Sequence, residues 1–267
     1  MNNDYIIDKI KEDIKSGLKA GYRENLLFTQ NESDLQSKIV EYLVVVNIAQ
    51  KLKGFCWDSD IKINLEHSLN DFYNWAFPST TLVGTDIFNL VLNSRGEHAP
   101  ENSISQRLDI ILTKELQLSG DFSTKRRSFV GIEVKGINQY DPKIKTDVKR
   151  LAIAMSLNDS IGANSIVCSF ACFFKRLDSD TSYISSADIA KKVAAEQGKW
   201  FTYFVEIKKE FTDLDFELIE VNIVNSPADE IHFEQSDFDN DLDLLIQMSG
   251  HVNAYIIKIS RDSSLVV

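Results

Sequence analysis

The sequence predicts an α/β protein: a central mixed sheet flanked by helices, with a β-rich C-terminal extension. Short runs of β-branched and aliphatic residues, bounded by turn formers, recur along the chain. Between them lie longer segments whose apolar residues repeat at helical spacing. Hydrophobic residues make up 43% of the 267 positions, yet no run approaches the ~20 apolar residues that a bilayer crossing needs. The apolar content is therefore available for a core, and no membrane partner is expected.

Three segments organise the chain: a helical N-terminal stretch over 1–30, an α/β core over 31–208, and an acidic, β-rich extension over 209–267 in the same domain. Residues 4 to 20 read as a polar helix. Asn31 is placed to cap a second helix to about Lys53, with Glu32 and Asp34 in its first turn. On that helix Leu35, Ile39, Leu43 and Val46 share one face. Glu32 falls on the same face, whereas Glu41 falls opposite and should be solvated.

Ile61 to His67 alternates apolar and polar residues and reads as the first core strand, with Glu66 on its polar side and His67 as a structural residue. Phe72, Tyr73, Trp75 and Phe77 suit an insertion or lid. Residues 93 to 106 are turn formers and polar residues, a mobile loop holding His98. Asp141-Pro142 pairs a good N-cap with a residue favoured at the first helical position. The stripe Ile144, Val148, Leu151, Ala152 and Met155 then marks a helix whose other faces carry Lys143, Lys145, Lys149 and Arg150. Asn164 to Phe174 reads as an apolar strand and Ser186 to Gln197 as a helix closed by Gly198. Trp200 to Lys208 and Phe216 to Val224 read as an antiparallel pair, and Val252 to Ile259 as a last strand.

Cys56, Cys168 and Cys172 form no CxxC pair, and the latter two fall within one apolar strand. This is the cysteine usage of a reducing cytoplasm. The N-terminus is polar and acidic, unlike a signal peptide, so a cytoplasmic location is expected. Four scattered histidines offer no zinc spacing.

The net charge of −11 is the wrong sign for a ligand of a polyanion, but it is unevenly spread. Residues 209 to 247 hold twelve acids and one lysine, whereas residues 1 to 208 are nearly neutral. Between Asp121 and Arg150, eight bases face four acids. Local field guides a polyanion more than total charge does.

Two strand-like segments place charges where apolar residues belong. The first, Arg107-Leu108-Asp109-Ile110-Ile111-Leu112, holds Asp109. The second, Gly131-Ile132-Glu133-Val134-Lys135-Gly136, holds Glu133 and Lys135 two apart, hence on one face. Buried charges are costly unless paired or bound to metal. Two carboxylates and a lysine on adjacent strands would make a hard-cation site with a positive group beside it, suited to phosphodiester hydrolysis. A second Glu-x-Lys, Glu206-Ile207-Lys208, lacks an acid on the strand-like segment before it.

An Asp followed by Glu-x-Lys on the next strand resembles the PD-(D/E)XK phosphodiesterase superfamily of restriction enzymes, resolvases and repair nucleases. The resemblance spans a core from about residue 30 to 175, and Leu108 stands where that family often has Pro. It implies a restriction endonuclease-like sheet and a Mg²⁺-dependent nuclease, with Mn²⁺ able to replace Mg²⁺. DNA is the expected nucleic acid, cut as an endonuclease would cut it, leaving a 5′-phosphate, in a prokaryotic restriction, defence or repair setting. Asp109 and Glu133 would hold the metal together with the Val134 carbonyl, since Mg²⁺ takes oxygen ligands and keeps several waters. Lys135 would orient or deprotonate the attacking water, or act as a fixed cation. A further carboxylate would come from Glu32 or, as its rival, Glu66. Lys143, Lys145, Lys149 and Arg150 would contact phosphates, and a homodimer is compatible with the family. The competing expectation is a catalytically inactive interaction protein of nuclease fold, whose acidic segment binds a basic protein partner or imitates DNA.

Overall fold

A computed structural model describes residues 3–29, 41–57, 59–76, 107–117, 124–156, 164–177, 185–224 and 251–261. In chain order the elements are α1 (Asn3–Thr29), α2 (Glu41–Trp57), β1 (Ile61–Ser68), α3 (Leu69–Ala76), β2 (Arg107–Gln117), β3 (Thr124–Ile137), α4 (Asp141–Ser156), β4 (Cys168–Arg176), α5 (Ser186–Ile207), β5 (Leu214–Val224) and β6 (Val252–Arg261). The strands form one six-stranded sheet in the order β1-β2-β3-β4-β6-β5. β3 and β4 are parallel, with α4 as the crossover, and the other neighbours are antiparallel. The sheet is thus mixed, and the two late strands complete it beside β4.

Each face of the sheet is covered by helices because the strands alternate. Ile110, Leu112, Val130, Ile132, Val134, Phe170, Cys172 and Ile256 pack with apolar residues of α1 and α2. Ile111, Phe173, Tyr255 and Ile257 pack instead with α3, α4 and α5. Cys56, Cys168 and Cys172 are buried free thiols. Among the described residues no helix is long and apolar enough to cross a membrane.

α1 departs from the polar helix expected over 4–20. It runs to Thr29, and Ile6, Ile10, Ile14, Leu18, Tyr22 and Leu26 are buried at four-residue steps. Gly17 and Gly21 let it approach α2 closely: a Cβ at Gly17 would lie 2.5 Å from Ile48 Cα. The expected start of the second helix before Glu41, and Asn31 as its expected cap, lie outside the described residues.

Three further expectations change. Phe72 and Tyr73 belong to α3 and are fully buried, so this part of the chain is core and not a lid; Phe77 and the loop with His98 fall outside the described residues. Gly198 does not end its helix. α5 continues to Ile207 because Trp200, Phe204 and Ile207 extend its buried stripe, and their burial outweighs the roughly 1 kcal/mol that an interior glycine costs. Trp200 to Lys208 is therefore no strand, and Glu206 is exposed near the end of a helix. His67 is structural, pairing with Asp71 at 3.1 Å and packing on Trp75.

Candidate functional site

β2 and β3 pair Ile110 with Ile132 and Ile111 with Gly131. One step further along this register, Asp109 stands beside Glu133. On its other side, β1 pairs Leu65 with Ile110 and His67 with Leu108, which brings Glu66 alongside Asp109. Glu66 interrupts that ladder with a left-handed backbone, φ 50°. Non-glycine residues adopt this conformation at a cost of about 1 kcal/mol or more, and such strain gathers at functional sites. Three carboxylates thus stand in a row across β1, β2 and β3.

Asp109 is fixed by the backbone N–H of Val134, which donates to its Oδ2 at 2.6 Å. Val134 therefore enters the site through its amide. Glu133 points to the face covered by α4 and is 4% exposed. Its Oε1 accepts from Lys135 Nζ at 2.7 Å and from Arg150 Nη2 at 3.1 Å. Its Oε2 is buried with no hydrogen-bond partner among the described residues. Asp147 on α4 completes the inner group, accepting from Arg150 Nη2 at 2.5 Å and facing Lys135 Nζ at 3.5 Å.

Burial pushes the Asp109 carboxyl up to about 6, and the acids Glu66 and Glu41 add to that against the Val134 N–H and Lys135. Burial likewise raises Glu133, with Asp109 as its main negative neighbour, and raises Asp147. Lys135 is desolvated, which works against its charge, but Glu133 and Asp147 prevail and hold it well above the ordinary lysine range. A lysine so held is a fixed cation.

Two members of this cluster were not assigned to it from the sequence. Glu41, expected to be solvated, accepts from Gly136 N–H at 3.1 Å. Its side chain leans over the end of β3, where the docking of α2 on the sheet gives it a backbone partner that its position on a helical wheel does not reveal. Asp147 had a usable signal: it lies within the buried stripe of α4, between Ile144 and Val148, where an acid is out of place. Glu32 lies outside the described residues. Glu66 is exposed at the rim.

The basic helix divides its cations. Arg150 is drawn into the cluster and is not an open phosphate contact. Lys149 pairs with Glu210 at 3.3 Å, and Lys145 sits 4.7 Å over the Tyr203 ring, both toward α5. Lys143 is exposed. Arg126 and Arg127 lie near the far end of β3, roughly 20 Å from Glu133 at ~3.3 Å per residue. The local positive charge counted in sequence is therefore spread over both ends of the strand.

Among the described residues, no three His, Cys, Asp or Glu side chains stand in a ready metal-holding group. The inner residues nevertheless fit a hard divalent cation. Two neighbouring carboxylates and an unpartnered buried carboxylate oxygen suit an ion that takes few protein ligands and keeps its waters. A separate cavity of about 720 Å³ opens between α2 and β1, lined by Val46, Cys56, Ile61, Ile63 and Glu115 among others. None of the cluster residues lines it.

Comparison with known proteins returned no match: no family model, curated protein or solved structure is significantly similar to this chain.

Proposed function

We propose that the chain is a divalent-metal-dependent nuclease of the PD-(D/E)XK type, acting on DNA. The observation that carries this reading is Glu133: a buried carboxylate with one oxygen unpartnered, beside Asp109 and paired with a lysine two residues along its own strand. Asp109 and Glu133 would hold Mg²⁺ or Mn²⁺, with the Val134 carbonyl as a further oxygen and Glu41 or Glu66 at the rim. When bound, the metal supplies a bound water of lowered pKa and charge screening at the phosphate.

The chain's own residues do the rest. Val134 N–H orients Asp109. Lys135 supplies a fixed positive charge where negative charge develops on the phosphorane. Lys143, exposed on α4, would contact a phosphate. A cytoplasmic restriction, defence or repair role rests on the family resemblance alone.

One feature favours the second reading, an inactive interaction protein: Lys135 and Arg150 already neutralise much of the buried acid, as a structural ion-pair network would. Supercoiled and linear DNA incubated with Mg²⁺ or with chelator separates the two. Nicking should require metal and should fall by at least about a hundredfold in Asp109→Ala, Glu133→Ala and Lys135→Ala. Glu206→Ala, on the exposed end of α5, should cut like wild type. Equal nicking by wild type and Glu133→Ala would exclude this site as its source, and no metal-dependent nicking by wild type would exclude the nuclease reading.

A further inference from the structure

The two oxygens of Glu133 have different surroundings. Oε1 takes both local cations, and Oε2 is buried without a hydrogen-bond partner among the described residues. Leaving a buried acceptor unsatisfied is costly, and Asp147 Oδ2 in the same cluster is likewise without a hydrogen-bond partner among the described residues, so the two orphaned oxygens mark room for a ligand. The cations also differ. Lys135 belongs to the same strand as Glu133 and lies between Glu133 and Asp147. Arg150 arrives from α4, and its Nη2 is shared between Asp147 at 2.5 Å, one turn earlier on the same helix, and Glu133 at 3.1 Å. Asp147 and Arg150 belong to the same helix, one turn apart, so the guanidinium has a partner on α4 and reaches across to β3 for its second. Its backbone is held too, because Tyr73 Oη donates to the Arg150 carbonyl at 3.0 Å.

The crowding of acids makes the reach to Glu133 exchangeable. Asp109, Glu133 and Asp147 share two cations, Lys135 and Arg150, with Glu41 and Glu66 nearby. A divalent cation at Glu133 would favour the ionised form of these crowded acids. It would also repel a guanidinium held 3.1 Å from the neighbouring oxygen.

We propose that Arg150 is an exchangeable counter-ion of Glu133. It holds the carboxylate in the metal-free site, cedes it to a divalent cation, and then, still anchored on Asp147, presents its guanidinium to a phosphodiester of the substrate. This deepens the nuclease reading and rests on it. The planar fork of arginine matches two phosphate oxygens, which a lysine cannot do. Asp147 is a positioning residue, keeping the guanidinium at the mouth of the site.

The test is calorimetric titration with Mn²⁺, together with binding of a short labelled DNA duplex in Ca²⁺, for wild type, Glu133→Gln, Arg150→Gln and Asp147→Asn. Arg150→Gln should bind Mn²⁺ about tenfold more tightly than wild type and the duplex about tenfold more weakly. Asp147→Asn should weaken duplex binding while Glu133 remains able to take Mn²⁺. If Arg150→Gln does not fold, Arg150→Met, which keeps the packed stem without the charge, decides the same comparison. Unchanged or weaker Mn²⁺ binding in the folded Arg150 variant, with Glu133→Gln binding none, overturns the counter-ion role and leaves the nuclease reading standing. Tighter Mn²⁺ binding with unchanged duplex affinity overturns the phosphate role. Mn²⁺ binding by Glu133→Gln equal to that of wild type, or none by wild type, removes the metal site and this proposal with it.

Discussion

Glu41 Oε1 accepts a hydrogen bond from Gly136 N–H at 3.1 Å, tying the first residue of α2 to the residue that closes the Glu133-Val134-Lys135 run. The contact reaches across from the helical layer on the α1–α2 side to the end of the strand that carries the site. It places a further carboxylate close enough to raise the Asp109 carboxyl.

If Glu41 supports the site, Glu41→Gln should weaken Mn²⁺ binding by roughly tenfold, the range seen when groups around metal ligands are altered. Glu66→Gln should have a smaller effect, since Glu66 is exposed and its interaction is screened by water. Glu32→Gln is the third arm. A calorimetric series in which Glu32→Gln shows the largest loss would return the role to the residue that the sequence pattern favoured.

The buried acids make stability depend on pH in a definite direction. Asp109 has its carboxyl raised from 3.8 to about 6 by burial. The folded state therefore binds this proton more tightly than the unfolded state does. The stabilisation is fully present below about pH 4 and is lost as pH rises through about 6. For chelator-treated protein the expected contribution of this one group is about 3 kcal/mol between these limits. Asp109→Asn should flatten that part of the pH profile and raise Tm at pH 7.5 by several degrees. Added Mn²⁺ should stabilise wild type at pH 7.5 and leave Asp109→Asn nearly unmoved. Thermal denaturation across pH checks both statements, and identical profiles for the two proteins would contradict them.

The close approach of α1 and α2 gives a prediction independent of function. A Cβ at Gly17 would meet the Ile48 backbone at 2.5 Å, which cannot rotate away. Gly17→Ala should therefore destabilise by about 1–3 kcal/mol. Gly198 lies inside α5 with open space around the same position. Gly198→Ala should stabilise by about 0.5–1 kcal/mol. Urea unfolding of both variants would show opposite shifts in midpoint, and shifts of one sign would refute the packing argument.

Much of the architecture was legible in the sequence because it rests on local periodicity. Alternation named β1, the apolar run named β4, and the stripe from Ile144 to Met155 named α4; β5 and β6 were also read as strands, but β5 pairs with β6 and not with the segment from Trp200 to Lys208. Where two local rules competed, the reading failed. Gly198 read as a helix stop, but the stripe through Trp200 and Phe204 continues past it and is buried against Phe173 and Phe216. Glu206-Ile207-Lys208 accordingly belongs to a helix end, not to a rival strand.

For the candidate site, the sequence by itself determined that Glu133 and Lys135 share a face through the two-residue period of a strand, and that one acid, Asp109, accompanies them on the preceding strand. Which other groups join them was decided by tertiary structure. Sheet register brings Glu66 beside Asp109, and the start of α2 brings Glu41 onto Gly136. The packing of α4 on the sheet turns Asp147 and Arg150 inward, while Lys145 and Lys149 turn toward α5. The physical reason is range. Local pattern fixes which face of its own element a side chain occupies, but the neighbour that face meets depends on how strands pair and helices dock. A buried charge is governed by that neighbour, because in a desolvated site a partner about 3 Å away outweighs any local preference.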